Sequence, residues 1–409
     1  MTKQLDADAV RRDFPTLARQ VHGKPLVYLD TAATAMKPRS VIDAVTRYYE
    51  HDYATVRRGL YALSQEATAL YEGTRERARA FFNARQKEEI VFVRGATEAV
   101  NLVAYTHGRK VLRAGDEVLV TTMEHHANIV PWQLVAAERE AKVVAAPITD
   151  RGEVELEAFE RMLTPRTKIV AFTHMSNVLG TVNPVREMVR MARKVGATVL
   201  IDGAQSAMHV PVDVQAIDCD FFVCSGHKML GPTGGGLLYG KHELLQAMPP
   251  WMGGGEMIHK VTFEGSTFDE PPYRFEAGTP PIASIIGLGA ALEYIEKLGR
   301  EAIGRHEEEL ARYTMQRLSE RPAVRLIGTA PHKGGIVAFV CKDAHHFDLA
   351  TLLDEQGIAI RVGHHCAQPL MRRYDVPGMG RVSFGPYSTK ADVDVFVKAL
   401  ERALSILGA

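Results

Sequence analysis

Short apolar runs alternate with amphipathic stretches along most of the chain from about residue 88 onward. The runs are rich in β-branched residues and lie at 89–93, 118–120, 168–172, 199–201 and 221–223. The stretches between them have apolar positions at helical spacing and lie at 97–107, 129–141, 154–163 and 185–195. Wholly apolar runs that alternate with helices are typical of buried strands in a mostly parallel sheet. The pattern therefore predicts an α/β fold.

A zone rich in glycine and proline follows the last of these runs and indicates a change of domain, at Pro249-Pro250, Gly253-Gly254-Gly255 and Pro280-Pro281. A long helical pattern then covers about 283–320. Further strands are predicted near 324–327, 335–340 and 381–385. The length of 409 residues also exceeds what one ordinary core holds. We therefore predict three parts, namely a segment at 1–25 that packs on the small domain, a large domain at 26–285 and a small domain at 286–409.

Charge and cysteine usage narrow the class of protein. Lys+Arg and Asp+Glu are balanced at 49 each, which gives no electrostatic signature for nucleic acid or an anionic membrane. No apolar run approaches the roughly 20 residues of a membrane span, and the N-terminus has no apolar signal region. The four cysteines are scattered without a CxxC pair, as is usual for free thiols in a reducing compartment. We expect a cytoplasmic protein without a nucleic-acid, membrane or metal partner.

Polar residues follow several predicted strands, where ligands bind in open α/β sheets. After the first run, Ala96 and Thr97 open a helix and could offer N–H groups and a hydroxyl to a phosphate. The alternative for Thr97 is a plain helix cap. After the second run, His125 could stack on a flat cofactor ring, ligate a metal or hydrogen-bond in the core.

Asp202 and Lys228 follow the fourth and fifth runs. A carboxylate there is costly to bury without a positive partner, and a protonated pyridine nitrogen is such a partner. The alternative is an ordinary turn or cap. Lys228 ends the stretch Ser225-Gly226-His227-Lys228 and has no evident salt-bridge partner, as an imine-forming lysine requires. A lone lysine would more simply be a surface residue. Together, however, these residues on successive strand ends favour a pyridoxal-phosphate site.

Cys366 lies in a polar loop between Gly363 and Pro369, directly after two histidines and near Arg361. Positive neighbours favour the reactive thiolate. A buried structural thiol is one alternative, and a zinc site is another, although contiguous residues rarely converge on one ion. The remaining thiols lie in apolar surroundings and are expected to be inert; they are Cys219, Cys224 and Cys341.

These residues resemble a known family, the fold-type-I pyridoxal-phosphate enzymes of the class V aminotransferase group. More narrowly, the chain looks like a Suf-type (group II) cysteine desulfurase, close to the selenocysteine lyases. The most specific segments are 94–98, 124–132, 176–181, 202–205, 225–234, 275–280 and 361–371. The resemblance implies a large domain with a mostly parallel seven-stranded sheet, and a smaller α/β C-terminal domain that carries the catalytic cysteine loop.

The resemblance also assigns roles around the cofactor. Lys228 would bind pyridoxal 5'-phosphate covalently, Asp202 would pair with its ring nitrogen, and His125 would stack on the ring. Gln205 would hydrogen-bond the phenolic oxygen, and Asn177 would lie beside the cofactor and the substrate. The phosphate would be held by Ala96, Thr97, Ser225 and His227, together with Thr279 of the neighbouring subunit. The chain would therefore be a homodimer with shared sites.

For the reaction, the resemblance implies conversion of L-cysteine to L-alanine, with the sulfur held as a persulfide on Cys366. Lys228 would remove the α-proton, Arg381 would bind the substrate carboxylate, and Arg361 would lie near the entrance. The sulfur would pass to an acceptor protein and supply iron–sulfur cluster assembly. The alternatives are a selenocysteine lyase, another pyridoxal-phosphate lyase or epimerase, and a non-catalytic scaffold.

Some positions differ from the usual family pattern. Arg57 stands where a His is expected, Ala96 where a Thr is common, and the stretch at 384–389 has an unusual ending. Relatives that use a zinc-binding acceptor tend to carry a His directly before the Asp that opens a C-domain helix. Here Phe347 precedes Asp348, which favours a non-zinc acceptor.

Overall fold

The computed structural model describes residues 5–409, and a seven-stranded sheet forms its centre. The strands are β1 (Gln20–Val21), β2 (Lys24–Pro25), β3 (Val27–Tyr28), β4 (Ile90–Val93), β5 (Glu117–Thr121), β6 (Lys142–Ala146), β7 (Thr167–Thr173), β8 (Thr198–Asp202), β9 (Phe221–Ser225), β10 (Gly236–Gly240), β11 (Ile258–Thr262), β12 (Gly265–Phe268), β13 (Val324–Ile327), β14 (Ile336–Cys341), β15 (Ile358–Ala359), β16 (Arg361–Gly363) and β17 (Met379–Ser383).

The helices are α1 (Ala7–Arg11), α2 (Arg39–Arg47), α3 (Ala62–Phe81), α4 (Ala96–Val103), α5 (Arg109–Val111), α6 (Val130–Glu138), α7 (Leu156–Met162), α8 (Val185–Arg193), α9 (Val214–Ile217), α10 (His242–Ala247), α11 (Ile282–Leu298), α12 (Arg300–Ser319), α13 (His346–Asp354), α14 (Gln368–Arg373) and α15 (Lys390–Leu407). No helix within residues 5–409 is long and apolar enough to cross a membrane.

The central sheet has the order β4-β10-β9-β8-β7-β5-β6. Its strands pair in parallel from β6 through β9, whereas β10 runs antiparallel to both of its neighbours. The side chains of β4, β5 and β9 are buried throughout because helices cover both faces of the sheet. The predicted α/β fold with a mostly parallel seven-stranded sheet is confirmed. The five apolar runs correspond to β4, β5, β7, β8 and β9, while β6 and β10 were not predicted.

A second sheet, with the order β13-β14-β17-β16, is antiparallel. Its apolar face packs with α12, α13 and α15 around buried residues such as Phe339, Leu349 and Phe396. The strands predicted in this region correspond to β13, β14 and β17. The single helical pattern expected at 283–320 is instead two helices, because Gly299 ends α11 with a φ of 89°, which a side chain rarely adopts.

The described part of the N-terminal segment contacts the second sheet's layer. Arg11 forms a 2.9 Å ion pair with Asp392, and β3, just after the segment, pairs in parallel with β15. Residues 1–4 of the predicted segment at 1–25 lie outside the described residues. The predicted boundary between 26–285 and 286–409 falls within α11, so the domain division stays a prediction.

Candidate active site

A cleft with a cavity volume of about 210 Å³ opens at the carboxyl ends of the central strands. Every predicted site residue except Thr279 lines it; these residues are Ala96, Thr97, His125, Asn177, Asp202, Gln205, Ser225, His227, Lys228, Arg361, Cys366 and Arg381. Thr279 is exposed in the segment before α11. The large sheet and the cysteine loop after β16 therefore meet at one place.

Lys228 ends a short 3-10 turn, Gly226–Lys228, that directly follows β9. The turn is tight, since a Cβ added to Gly226 would lie 2.8 Å from the carbonyl oxygen of Gly235. Burial lowers the pKa of the Lys228 amine to about 8, against the attraction of Asp202. The lysine is therefore much closer to its neutral, nucleophilic form at neutral pH than an exposed lysine is.

Asp202 is the last residue of β8 and is buried. One carboxylate oxygen accepts the N–H of Ala204 at 2.9 Å, and the other has no hydrogen-bond partner among residues 5–409. Burial raises the pKa of Asp202, while the Ala204 N–H and Lys228 oppose the rise. A buried carboxylate with a free oxygen is suited to a cationic ring nitrogen.

His125 lies at the rim of the cleft, where β5 leads into a 3-10 turn at His126–Asn128. Its Nδ1 accepts the N–H of Ala127 at 3.0 Å. Burial lowers the pKa of His125 to about 4, and Lys228 acts in the same direction. The ring is therefore neutral at physiological pH and can present a flat face to an aromatic ligand.

The start of α4 forms the other end of the cleft. The Oγ of Ser225 accepts the N–H of Ala96 at 2.9 Å, which joins the end of β9 to the first turn of α4. The next N–H groups of that turn have no acceptor within the helix, and the hydroxyl of Thr97 lies beside them. His227 lies close by, with its Nδ1 3.2 Å from the Thr34 hydroxyl. Such an arrangement is suited to a phosphate group.

Gln205 and Asn177 lie in the cleft but already have partners in the protein. The amide nitrogen of Gln205 donates to the carbonyl of Ala32 at 2.7 Å. The amide nitrogen of Asn177 donates to the carbonyl of His365 at 2.8 Å. Asn177 therefore contacts the cysteine loop, a contact that the sequence did not suggest.

Arg381 is buried on β17 and meets an acid that sequence reasoning missed. Its guanidinium donates to Asp30 Oδ1 at 3.0 Å and to the carbonyl of Asn177 at 2.7 Å, while its buried Nε has no partner. Arg361 is half-exposed, and its Nη1 lies 3.6 Å from Asp30 Oδ2. Burial raises the pKa of Asp30, and both arginines oppose the rise. The two arginines thus form a cationic corner that Asp30 orients.

Cys366 faces the same cleft from the loop that joins β16 to α14, and it is exposed. The other thiols within residues 5–409 are less accessible. Burial raises the pKa of Cys219 and Cys224 well above the usual range, and raises that of Cys341 to about 12. Cys366 is therefore the thiol available to a ligand in the cleft.

A second missed feature is a buried ion-pair cluster behind β4. Glu276 accepts from Arg75 at 2.7 Å and from the N–H of Phe92 at 2.9 Å, and it also pairs with Arg57. Burial raises the pKa of Glu276, but Arg75 and Arg57 outweigh burial and hold it below the usual value. The unusual Arg57 therefore pairs within its own chain. Its partner, Glu276, lies three residues before Thr279.

Comparisons with known proteins agree with this architecture. The sequence model of the family described as Aminotransferase class-V matches residues 27–396. A protein named cysteine desulfurase from Dickeya dadantii (strain 3937) is 52% identical over 402 residues, which cover 98% of this chain and 97% of the relative.

Two solved structures are similar over almost the whole chain. The crystal structure of the cysteine desulfurase CsdA (S-sulfonic acid) from Escherichia coli has a TM-score of 0.92 and 42% identity, and the match covers 99% of this chain and 100% of that chain. The apo structure of a cysteine desulfurase from Thermococcus onnurineus NA1 has a TM-score of 0.93 and 36% identity, with 99% of both chains covered.

Proposed function

We propose that this chain, which belongs to the class-V aminotransferase family, is a pyridoxal-phosphate-dependent cysteine desulfurase that converts L-cysteine to L-alanine and holds the sulfur on Cys366. The observation that carries the proposal is the placement of Lys228 and Cys366 in one cleft. One is a partly buried amine with a pKa lowered to about 8, and the other is an exposed thiol.

The residues of the cleft fit pyridoxal phosphate. Asp202 offers a free carboxylate oxygen to the ring nitrogen, His125 offers a neutral flat ring, and the first turn of α4 offers N–H groups to the phosphate. Lys228 would supply the amine that holds the cofactor. When bound, the cofactor supplies an electron sink for the bonds at the substrate α-carbon.

Other residues of the cleft act on the substrate. With the cofactor in place, the amine of Lys228 would take the α-proton of the substrate. Arg381 and Arg361 orient the substrate carboxylate, and Asp30 fixes the direction of both guanidinium groups. The Cys366 thiolate forms a bond to the substrate sulfur while the carbon–sulfur bond breaks. The electron pair of that bond stays with the carbon, which takes up a proton as alanine forms.

Within the family, we assign the chain to the Suf-type group and expect a homodimer that hands its sulfur to an acceptor protein for iron–sulfur cluster assembly. Phe347 lies directly before Asp348 at the start of α13, which supports an acceptor of the non-zinc type. The scattered free thiols and the balanced charge support a cytoplasmic location.

The test is a pair of cysteine variants assayed with L-cysteine and a reductant. Cys366→Ala should lower alanine and sulfide formation at least about a thousandfold, because the attacking thiol is gone, and should keep the visible absorption of the bound cofactor. Cys341→Ala, which removes a thiol outside the cleft, should retain both. Lys228→Ala should lose the absorption band of lysine-bound cofactor. Undiminished alanine formation by Cys366→Ala would rule out the proposed role of this thiol. Comparing the turnover of L-cysteine with that of L-selenocysteine distinguishes a cysteine desulfurase from a selenocysteine lyase.

A further inference from the structure

The loop that carries Cys366 has an unusual backbone. His365 and Cys366 have φ values of 52° and 55°, and Gly363 has a φ of 104°. Two successive residues with side chains in the left-handed region are disfavoured by contacts of their Cβ atoms. Such a conformation persists only where surrounding contacts fix it.

Three of the contacts that hold this loop come from the large sheet's side of the cleft, and a fourth joins His365 Nε2 to the carbonyl of Met379 on β17 at 3.0 Å. The backbone N–H of His126 donates to the carbonyl of Cys366 at 2.7 Å. The Nε2 of the same histidine accepts the N–H of Gln368 at 3.1 Å. The amide of Asn177 donates to the carbonyl of His365 at 2.8 Å. Three hydrogen bonds thus join the loop to residues that follow β5 and β7.

The two His126 bonds satisfy groups that the loop itself leaves open. Gln368 is the first residue of α14, and the first N–H groups of a helix have no acceptor within it. A histidine can accept at Nε2 only when that nitrogen carries no proton. His126 therefore caps α14 as a neutral ring.

His126 is itself held rigidly. Its neighbour Glu124 is completely buried and accepts from the Asn128 amide at 2.7 Å and from the Thr173 N–H at 3.0 Å. Asn128 in turn accepts the indole N–H of the buried Trp132 at 3.0 Å. His126 therefore lies between two buried, hydrogen-bonded residues, Glu124 and Asn128. This fixed position allows it to hold the Cys366 loop of the second sheet.

His126 does not line the cleft, although His125 and Ala127 on either side of it do. Its Nε2 is directed at α14, where it accepts the Gln368 N–H. The hydrogen bonds of His126 therefore act on the position of the loop rather than on a ligand in the cleft.

We propose that His126 is a positioning residue that, through its backbone N–H and its Nε2, clamps the Cys366 loop in the conformation that directs the thiol toward Lys228. The inference rests on the proposed desulfurase function. It predicts that removing the ring acceptor disturbs the thiol without disturbing the cofactor.

The test compares His126→Leu, which removes the acceptor, with His126→Gln, whose side-chain oxygen can replace Nε2. In the holoenzyme, His126→Leu should lower kcat for alanine formation about 10- to 100-fold, with KM for cysteine changed by less than about threefold. Alkylation of Cys366 by iodoacetamide, followed by mass spectrometry without substrate, should become at least about threefold faster as the loop loosens. The visible absorption of the cofactor should not change.

His126→Gln should return kcat and the alkylation rate to within about threefold of the unsubstituted protein, because the cap is restored. His51→Leu, at an exposed histidine with 70% of its side chain accessible, is the matched control and should change neither.

The proposal is overturned if His126→Leu keeps both rates, if His126→Gln is as impaired as His126→Leu, or if the absorption band is lost together with activity. The last result would assign the effect to the cofactor through His125. If the unsubstituted protein forms no alanine from cysteine, the proposed function fails. The alkylation comparison still decides whether the clamp exists.

Discussion

At the scale of single residues, burial rather than residue type sets the reactivity of the site. Lys228 and Cys366 could each be ordinary surface residues by sequence. In the structure, burial brings the pKa of Lys228 to about 8, while Cys366 is the exposed member of four cysteines. Burial also raises the pKa of the Cys219 and Cys224 thiols, which keeps them in the unreactive protonated form. Environment thus separates the reactive groups from their chemically identical neighbours.

The lowered pKa of Lys228 predicts how the apo-protein binds its cofactor. At pH 7 an amine with a pKa of about 8 is about 9% neutral, whereas an ordinary lysine is about 0.03% neutral. Because the neutral amine attacks the aldehyde, the rate of attachment should rise about tenfold per pH unit up to about pH 7.5 and level off above about pH 8.5. Stopped-flow absorbance measures this rate. Nα-acetyl-lysine in solution is the control and should keep accelerating beyond pH 9, and a similar continued rise for the protein would contradict the prediction.

At the scale of elements, the close approach of two backbone segments shapes the end of the cleft where α4 begins. Gly236 begins β10 and lies against Gly95, the residue before α4. A Cβ at Gly236 would lie 2.6 Å from Gly95 Cα and 2.8 Å from the carbonyl oxygen of Cys224. Both of these atoms belong to the backbone, so they cannot move aside as a flexible side chain can. The unpredicted strand β10 therefore fixes where α4 begins.

Gly236→Ala should push the start of α4 away from Ser225. We expect a loss of about 1–3 kcal/mol in the free energy of unfolding from the overpacked backbone, together with weaker cofactor binding. Gly73→Ala is the matched control, because Gly73 lies within α3 and nothing is within 4 Å of its added Cβ. That variant should gain up to about 1 kcal/mol and bind the cofactor unchanged. Thermal unfolding and titration of the apo-protein measure both quantities, and equal behaviour of the two variants would refute the argument.

At the scale of the whole molecule, the cleft is assembled from distant parts of the chain. Asp30 near the N-terminus meets Arg381 near the C-terminus, and Asn177 of the large sheet meets His365 of the second sheet's layer. Thr279 is exposed and does not line the cleft of its own chain. A phosphate contact from Thr279 therefore requires a second copy of the chain.

Mixed dimers test this contact. The assembly should have a mass near twice the 45.1 kDa of one chain. Lys228→Ala alone should be inactive, and Thr279→Ala alone should bind cofactor about tenfold more weakly, because a hydroxyl contact to the phosphate is lost. If Thr279 serves the partner, a heterodimer of the two variants contains one site with both residues intact.

Co-expression with two affinity tags provides that heterodimer. At limiting cofactor its activity should reach about half that of the unsubstituted dimer, since one of two sites is whole. If Thr279 acts within its own subunit, no site in the heterodimer is intact. Activity no higher than that of Thr279→Ala would then disprove the shared site.

The sequence by itself determined the strand runs, the α/β class and the order of chemical groups along the strand ends. These features are local, since a buried strand needs a continuous apolar run and parallel strands bring their carboxyl ends to one edge. The motif residues Ala96, His125, Asp202 and Lys228 follow those strands, and they line one cleft for that reason. The short strands β6 and β10 escaped prediction because β6 is largely accessible and β10 begins and ends in glycine.

Which residues pair across long separations is visible only in the folded chain. The partners of Arg381, Asn177, His126 and Glu276 lie between 184 and 351 residues away along the chain. Periodicity carries no information about such pairs, because each is set by the packing of elements that are far apart along the chain. Burial, which lowers the pKa of Lys228 and leaves Cys366 exposed, is likewise a property of the folded chain. The sequence supplies the reactive groups, and packing sets their protonation, their orientation and their hydrogen-bond partners.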